Sequence, residues 1–357
     1  MSNSLALRRR TFLNFSLLGA AVSAALPVKA FSQETAANIS FLAPTAENPI
    51  RINFNENALG MSPSAQAAAR DAVAKGNRYA KAEITQLHGK LCDMYKVPKN
   101  FLLLTDGSSE GIRALMGAYS RLPKVQLVIP ELTYGDGADV AKRNNIPVKN
   151  VKMGPNWGID LAALRKVATA EAKKHRVLVY LVNPNNPTST IADSNEIFNW
   201  IKSQPKNTFF ILDEAYAEFV NDPSFKSCNE LVRQGFDNLV VLKTFSKIFA
   251  MAGMRLGYAV GAVNVINKIR DHVAYEVMMN QTTLAAALSE LNDKEFLKES
   301  KESNDEAREI LYKALKELNI PYLPSQTNFV FIDLKAPLKP FADRMKTEHI
   351  LVGRPFP

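Results

Sequence analysis

Seven short apolar runs recur along the middle of the chain, and segments with a helical pattern separate several of them. Runs of this length that are rich in Val, Ile and Leu are typical of buried strands. The helical segments include Glu110–Ser120, Asp160–Lys174 and Asn195–Lys202. This alternation predicts crossover connections, and therefore an α/β fold with a mainly parallel, doubly wound sheet of seven strands. The runs are Phe101–Leu104, Lys124–Ile129, Val148–Met153, Val177–Val182, Thr208–Leu212, Leu239–Leu242 and Leu256–Val260.

The segments on either side of this region follow a different pattern. Ser62 before Pro63 is typical of a helix start, and a second helix is predicted from about Ala82 to Tyr95. Asp293–Leu318 is a charged amphipathic helix, and the N-F-V-F-I-D-L that begins at Asn328 alternates like a half-exposed strand. These elements predict a smaller α+β domain. The expected division is a leader at 1–30, an N-terminal arm and part of the small domain at 31–84, a large domain at 85–294, and the rest of the small domain, apparently incomplete, at 295–357.

Composition narrows the class of protein. The chain has 357 residues, is 46% hydrophobic and 22% charged, and carries a formal net charge of +9, of which the first thirty residues supply four basic groups and no acid. The rest of the chain has only a mild excess of positive charge, with no basic stripe and no zinc-finger spacing. This argues against nucleic-acid binding. Cys92 and Cys228 are far apart and favour reduced packing residues over a disulfide. The four histidines show no metal-ligand spacing.

The first thirty residues have the organisation of an export signal. A basic start is followed by an apolar stretch from Phe12 to Leu26, and a V-K-A sequence ends at Ala30. Arg9 and Arg10 stand before T-F-L, which resembles the twin-arginine signature. We therefore expect a cleaved twin-arginine signal, passage through the twin-arginine machinery and a periplasmic or exported protein. An ordinary signal or a retained membrane anchor are the alternatives.

Polar groups follow the predicted strands at the edge where open α/β sheets bind ligands. After the first run, Gly107-Ser108-Ser109 opens a helix and offers backbone N–H groups and hydroxyls to a phosphate. A simple helix cap is the alternative reading. Tyr134 follows the second run, where it could stack on a planar ring or simply pack as an aromatic residue.

Three further groups follow the later runs. N-P-N-N-P-T, which contains Asn186, follows the fourth run, and Asp213 ends the fifth, where a buried carboxylate needs a cation or a structural salt bridge. Lys247 follows the sixth run in K-T-F-S-K, with Arg255 eight residues later. An amine among anion-binding groups suits a phosphorylated aldehyde cofactor held as a Schiff base. Taken alone, Lys247 could equally be a solvated loop residue.

Taken together, N-N-P-T, D-E-A-Y and T-F-S-K with its arginine resemble the fold-type I pyridoxal-phosphate enzymes, specifically the class I/II aminotransferases of the histidinol-phosphate aminotransferase branch, over roughly Asn55 to Phe356. The resemblance implies that Lys247 holds the cofactor as an internal aldimine and later moves the proton between substrate and cofactor. It implies that Asp213 keeps the pyridine nitrogen protonated. Asn186 and Tyr216 would bind the ring 3-oxygen, and Tyr134 would cover the ring face.

The phosphate ligands and the quaternary structure are also implied by this resemblance. Thr244, Ser246 and Arg255 match side-chain phosphate ligands, and Ser108 and Ser109 match donors at the helix N-terminus. Tyr79 matches a tyrosine that reaches the phosphate of the neighbouring subunit. The resemblance therefore implies a homodimer with a shared active site.

The chain departs from the pattern of this branch in three places. Ala58 stands where N-E-N-P-x-G has proline, and Ser189 stands where N-P-T-G has glycine. The sequence stops at V-G-R-P-F-P, before the strand whose arginine binds the substrate carboxylate, so we expect either a fragment or an altered substrate site, with Arg354 close to the substrate pocket.

The expected reaction exchanges an amino group between an L-amino acid, or a histidinol-phosphate-like amine, and a 2-oxo acid. A decarboxylase or lyase on the same fold, and a non-catalytic exported protein that binds the cofactor, are the alternatives. An exported enzyme also leaves the amino donor open, with aromatic amino acids among the candidates.

Overall fold

In the computed structural model, residues 43–275 and 278–356 are described. The predicted export signal lies outside these residues. Their centre is a seven-stranded sheet, and each predicted run corresponds to one strand, which confirms the predicted α/β class. The strands are β2 (Leu102–Thr105), β3 (Val125–Pro130), β4 (Val148–Val151), β5 (Arg176–Val182), β6 (Thr208–Asp213), β7 (Leu239–Thr244) and β8 (Gly257–Gly261).

The strand order across the sheet is β2-β8-β7-β6-β5-β3-β4. All neighbouring strands are parallel except β8, which runs antiparallel to β2 and β7. Most strand residues are buried on both faces, as expected for a sheet covered by helices on each side. The carboxyl ends of β5, β6 and β7 lie side by side because Val182 pairs with Asp213, and Asp213 pairs with Leu242. This edge of the sheet carries the candidate site.

Eleven helices of four or more residues accompany the strands in the described ranges. Ser62 caps the first of them, since its hydroxyl accepts a hydrogen bond from the Ala65 amide at 3.0 Å. The helices are α1 (Pro63–Val73), α2 (Lys81–Tyr95), α3 (Ser108–Ser120), α4 (Asp136–Arg143), α5 (Leu161–Glu171), α6 (Ser194–Lys202), α7 (Asn229–Arg233), α8 (Val263–Arg270), α9 (Gln281–Glu290), α10 (Lys294–Glu317) and α11 (Leu338–Thr347). None of the helices in the described part of the chain has the length and apolar character that a membrane span needs.

The two ends of the described chain meet outside the central sheet. β1 (Ile50–Arg51) pairs in parallel with β9 (Ile350–Leu351), with Ile50 opposite Ile350. This pairing joins the N-terminal arm to the last described strand of the chain.

The predicted strand at 328–334 is wrong. Only one isolated bridge forms there, between Tyr322 and Ile332. Side-chain hydrogen bonds close a turn at the start of this segment. The hydroxyls of Ser325 and Thr327 both donate to the Phe329 carbonyl, at 2.5 and 3.0 Å. Local hydrogen bonds of this kind compete with regular strand pairing.

Candidate active site

Lys247 lies just beyond the carboxyl end of β7, half-buried beneath the N-terminal arm. Its Nζ donates to the backbone carbonyls of Phe54 at 3.1 Å and Asn55 at 3.2 Å, and it lies 5.4 Å from the centre of the Tyr216 ring. Burial lowers the pKa of the Lys247 ammonium to about 8, against the opposing effect of the Glu56 and Asp213 charges. Roughly a tenth of this amine is therefore neutral, and so nucleophilic, at pH 7, far more than for an unperturbed lysine.

Asp213 ends β6 and is only 2% exposed. One carboxylate oxygen accepts the Tyr180 hydroxyl at 2.9 Å, and the other accepts the Ala215 amide at 3.2 Å. Among the described residues, no cationic side chain forms an ion pair with it. Burial therefore raises the pKa of Asp213 to about 6, although the two hydrogen bonds act in the opposite direction.

Tyr216 follows Asp213 by three residues and brings Asn186 into the same site. Its hydroxyl accepts hydrogen bonds from the Asn55 amide at 3.2 Å and from the Asn186 amide at 3.5 Å. The ring of Phe329 packs edge-on against the Tyr216 ring, with centroids 5.1 Å apart. The hydroxyl proton of Tyr216 has no acceptor among the described residues, so this group can donate to a ligand oxygen.

The amino end of α3 and the segment after β7 meet at Arg255. The Arg255 guanidinium donates to the Asp106 carbonyl at 3.1 Å and to the Ser246 hydroxyl oxygen at 3.4 Å. Gly107 is favoured here because its φ of +78 strains any residue with a side chain, and a Cβ would also displace the guanidinium. Gly257 is required, because its Cβ would lie 2.6 Å from the Gly107 carbonyl carbon. The two glycines therefore let the guanidinium approach the helix N-terminus.

Three hydroxyls near this junction have different roles. The Thr244 hydroxyl donates to Ser246 at 2.9 Å, so it supports Ser246 and does not face outward. Within the part of the chain that the structure describes, the hydroxyl protons of Ser108 and Ser246 have no acceptor. Together with the positive end of the helix dipole and the Arg255 charge, these two groups form a donor set that suits a phosphate.

The remaining predicted site residues lie in two different places. The Tyr134 and Ser109 hydroxyls both donate to the Asp136 carboxylate, each at 2.9 Å. Tyr79 is 77% exposed and lines a separate surface cavity. Arg354 lies next to the Tyr134 segment, since its Nη2 would be 3.4 Å from a Cβ at Gly135.

Sequence reasoning missed several residues of this site. Asn55 reaches Tyr216 across 161 positions, and the Asn328 amide holds the Asn55 carbonyl at 3.0 Å across 273 positions. Tyr180 is buried and donates to Asp213, and Asp136 is half-buried and accepts from Tyr134 and Ser109. The N-E-N motif at Asn55 was the one available signal, but it did not indicate a partner.

The donor set fits one cofactor. A buried carboxylate without a cation suits a protonated ring nitrogen, an amine of lowered pKa suits an aldehyde, and the α3 terminus with Ser108, Ser246 and Arg255 suits a phosphate. A mostly parallel sheet with these groups at its carboxyl edge defines the class of pyridoxal-phosphate-dependent transferases. No group of side chains in the described ranges has the composition of a metal site.

Comparison with known proteins agrees with this class. The family model for aminotransferase class I and II matches residues 47–356, so the chain belongs to that family. It is 34% identical over 306 residues to the histidinol-phosphate aminotransferase of Symbiobacterium thermophilum, covering 85% of this chain and 81% of that one. The predicted aminotransferase activity and its pyridoxal-phosphate cofactor are confirmed at the level of the family.

Two solved structures resemble the fold over most of its length. One is a protein from Erwinia carotovora atroseptica named provisionally as a histidinol-phosphate aminotransferase, with 54% identity, a TM-score of 0.86, and coverage of 89% of this chain and 91% of that one. The other is the histidinol-phosphate aminotransferase of Sinorhizobium meliloti in complex with pyridoxal-5'-phosphate, with 24% identity, a TM-score of 0.76, and coverage of 93% and 90%. Because only 24% of its residues are identical, the second structure shows similarity of fold alone.

Proposed function

We propose that Lys247 is the residue that holds pyridoxal phosphate in this aminotransferase and that moves the proton at the substrate α-carbon. The observation that carries this proposal is that the Lys247 Nζ atom lies 5.4 Å from the centre of the Tyr216 ring, which follows the buried Asp213 carboxylate by three residues. The charges of Lys247 and Asp213 also affect each other's pKa. A lysine whose pKa is lowered by burial is available both as a nucleophile and as a general base near neutral pH.

Asp213 is the proposed partner of the ring nitrogen. Bound pyridoxal phosphate would supply an aldehyde and an electron-withdrawing ring, and a carboxylate beside the ring nitrogen maintains that ring in its protonated form. The Tyr180 hydroxyl at 2.9 Å orients the carboxylate and favours its anionic state. Tyr216 and Asn186 stand beside it as the proposed ligands of the ring 3-oxygen.

The proposed phosphate site is the junction of α3 with the segment after β7. Arg255 supplies the positive charge, Ser108 and Ser246 supply hydroxyl protons, and the α3 amides supply backbone donors. Thr244 acts through Ser246 in this proposal, because its proton is already donated there.

A homodimer is the proposed assembly, with Tyr79 contributed to the partner's phosphate site. Tyr79 lines a surface cavity of about 350 Å³ together with Val73 and Met278. These three side chains are 77%, 66% and 74% exposed, respectively, and Tyr275 close by in sequence is 76% exposed. A cluster of exposed large apolar side chains is typical of a subunit interface. A Met278→Lys variant is expected to be monomeric in analytical ultracentrifugation, whereas a dimeric variant would contradict this assignment.

The proposed amino donors are L-amino acids and histidinol-phosphate-like amines, with a 2-oxo acid as acceptor. The names of the relatives support histidinol-phosphate-like amines as donors. The twin-arginine motif supports action outside the cytoplasm, where other amino acids would be the donors. Fusing residues 1–30 to a reporter, with and without Arg9→Lys and Arg10→Lys, tests the export route. Export that survives both substitutions would contradict it.

An amino-donor screen on the full chain loaded with pyridoxal phosphate tests the reaction. Conversion of the cofactor absorption to that of the pyridoxamine form, with release of a 2-oxo acid, is the expected result. Release of carbon dioxide without a 2-oxo acid would instead identify a decarboxylase. Loaded protein that reacts with no donor in a broad panel would identify a non-catalytic binding protein.

A further inference from the structure

A single carboxylate, that of Asp136, joins two of the segments that line the proposed cofactor site. Its Oδ2 atom accepts the Tyr134 hydroxyl at 2.9 Å and the Ser109 hydroxyl at 2.9 Å. Tyr134 lies in the loop after β3, whereas Ser109 lies in the first turn of α3, 27 positions before Asp136. Asp136 itself begins α4. The carboxylate therefore fixes these two segments relative to each other.

The proton count at this site limits what the two hydroxyls can do. Each hydroxyl has one proton, and both protons are donated to Asp136. Burial and then the Asp136 charge raise the pKa of Tyr134, so its hydroxyl stays protonated and remains a donor. Neither hydroxyl can therefore donate to a phosphate while this arrangement holds. The Ser109 side chain differs in this respect from that of Ser108, whose proton has no acceptor in the described part of the chain.

The next residue along α4 contacts the other side of the site. A Cβ at Gly137 would lie 2.6 Å from Cδ1 of Tyr180, so only glycine lets the helix pack directly on this ring. The Tyr180 hydroxyl in turn donates to Asp213 at 2.9 Å. The first turn of α4 thus supports Tyr134, Ser109 and, through Tyr180, the carboxylate of Asp213.

We propose that Asp136 is a positioning residue of the cofactor site, which holds the Tyr134 ring and the α3 turn in their binding geometry and takes no part in binding the phosphate itself. This proposal rests on the proposed function. It also changes the role that resemblance implied for Ser109, whose hydroxyl becomes a ligand of Asp136 while its backbone amide stays available to the phosphate.

The test measures pyridoxal-phosphate affinity by titration of the apoprotein, together with the circular dichroism of the bound cofactor. Asp136→Ala is expected to weaken affinity on the order of tenfold, because two hydrogen bonds to a carboxylate are lost. It should also reduce the cofactor dichroism, because the ring that covers the cofactor is no longer fixed. Asp139→Ala removes the same charge from an exposed position one turn along α4, and both measurements should stay unchanged.

The decisive comparison repeats Asp136→Ala in a Tyr134→Phe, Ser109→Ala background. If Asp136 acts through these two hydroxyls, its removal there should change affinity by less than about twofold. An equal loss in both backgrounds would show that Asp136 contacts the ligand directly, and no loss in the wild-type background would show that it has no role; either result overturns the proposal. Should Asp136→Ala lower the melting temperature of the apoprotein, Asp136→Asn is judged by the same criteria. Wild-type protein that binds no pyridoxal phosphate would instead refute the proposed function.

Discussion

Asp213 and Glu214 are neighbours at the end of β6, and both are only 2% exposed, yet their surroundings differ. Glu214 accepts the Ser227 hydroxyl at 2.6 Å and the Cys228 amide at 2.7 Å, and it lies 3.6 Å from the Lys243 ammonium. Asp213 has two neutral donors and no ion pair among the described residues. At one strand end, therefore, the Glu214 carboxylate is paired with a cation, whereas the Asp213 carboxylate is hydrogen-bonded only by neutral groups of the described residues.

The two lysines of K-T-F-S-K differ in the same way. Burial disfavours the charge of Lys243, but Glu218 at 2.7 Å and Glu214 outweigh this effect and raise its pKa. Burial lowers the pKa of Lys247 to about 8, because its hydrogen-bond acceptors are the neutral carbonyls of Phe54 and Asn55. Lys243 and Glu214 are therefore ion-paired at the sheet edge, while Lys247 and Asp213 form no ion pair among the described residues and stay available to a ligand.

The largest expected effect is on catalysis. Lys247→Met should lower transamination by about 10⁴-fold or more, because the amine that forms the covalent link and transfers the proton is lost. The free energy of unfolding of the apoprotein should change by less than about 1 kcal/mol, since Lys247 is half-buried and forms no ion pair with another described residue. Single-turnover kinetics measures the loss of transamination, and denaturant titration measures the stability. A large loss of stability would contradict the view that Lys247, unlike Lys243, does not stabilise the fold.

Lys243→Met makes the same substitution at the lysine that forms ion pairs. It leaves the buried carboxylate of Glu214 and the half-buried carboxylate of Glu218 without their cation, so the free energy of unfolding should fall by about 3–5 kcal/mol. The urea midpoint of the apoprotein provides the measurement, with Lys247→Met as the control. A variant as stable as wild type would show that the ion pairs around Lys243 are not what stabilises this edge.

Asp213→Asn should reveal the cost of the uncompensated carboxylate as a dependence of stability on pH. The pKa of Asp213 is raised to about 6 from 3.8, so its contribution favours the folded state below about pH 4 and is lost as pH rises through 6. Above that pH, the asparagine apoprotein should be more stable than wild type by about 2–3 kcal/mol, relative to their difference at pH 4. A stability difference that does not vary between pH 4 and pH 8 would contradict the raised pKa.

Tyr216→Phe should have the smallest effect. It removes one hydroxyl that accepts from Asn55 and Asn186, and the affinity for pyridoxal phosphate should fall by about tenfold or less. Titration of the apoprotein measures this loss, and Tyr312→Phe in α10 serves as a distant tyrosine control. A loss as large as that from Lys247→Met would mean that Tyr216 has more than a hydrogen-bonding role.

Much of the fold could be predicted because its strands are buried on both faces. Runs such as Val177–Val182 and Leu239–Leu242 are uniformly apolar, so pattern alone identified them and the helices between them. The 328–334 segment alternates like a strand, but the hydroxyls of Ser325 and Thr327 close a turn at its start by donating to the Phe329 carbonyl. Hydrogen bonds between side chain and backbone leave no periodic signal.

The candidate site was predicted where one short motif carries the chemistry, as at Asp213 and Lys247. The partners of these residues could not be predicted, because they come from distant parts of the chain. Asn55 reaches Tyr216 only after the arm folds over β6 and β7, and Asp136 reaches Ser109 only after α3 and α4 pack together. Such contacts depend on the packed geometry, which the order of the residues does not specify.

The most direct test of the central claim is to identify the lysine that holds the cofactor. Borohydride reduction of the protein loaded with pyridoxal phosphate fixes a pyridoxyl group to that lysine, and peptide mass spectrometry then locates it. One modified site is expected, Lys247, with no modification of Lys243 four residues earlier. A pyridoxyl group on Lys243 or on any other lysine, with Lys247 unmodified, would contradict it.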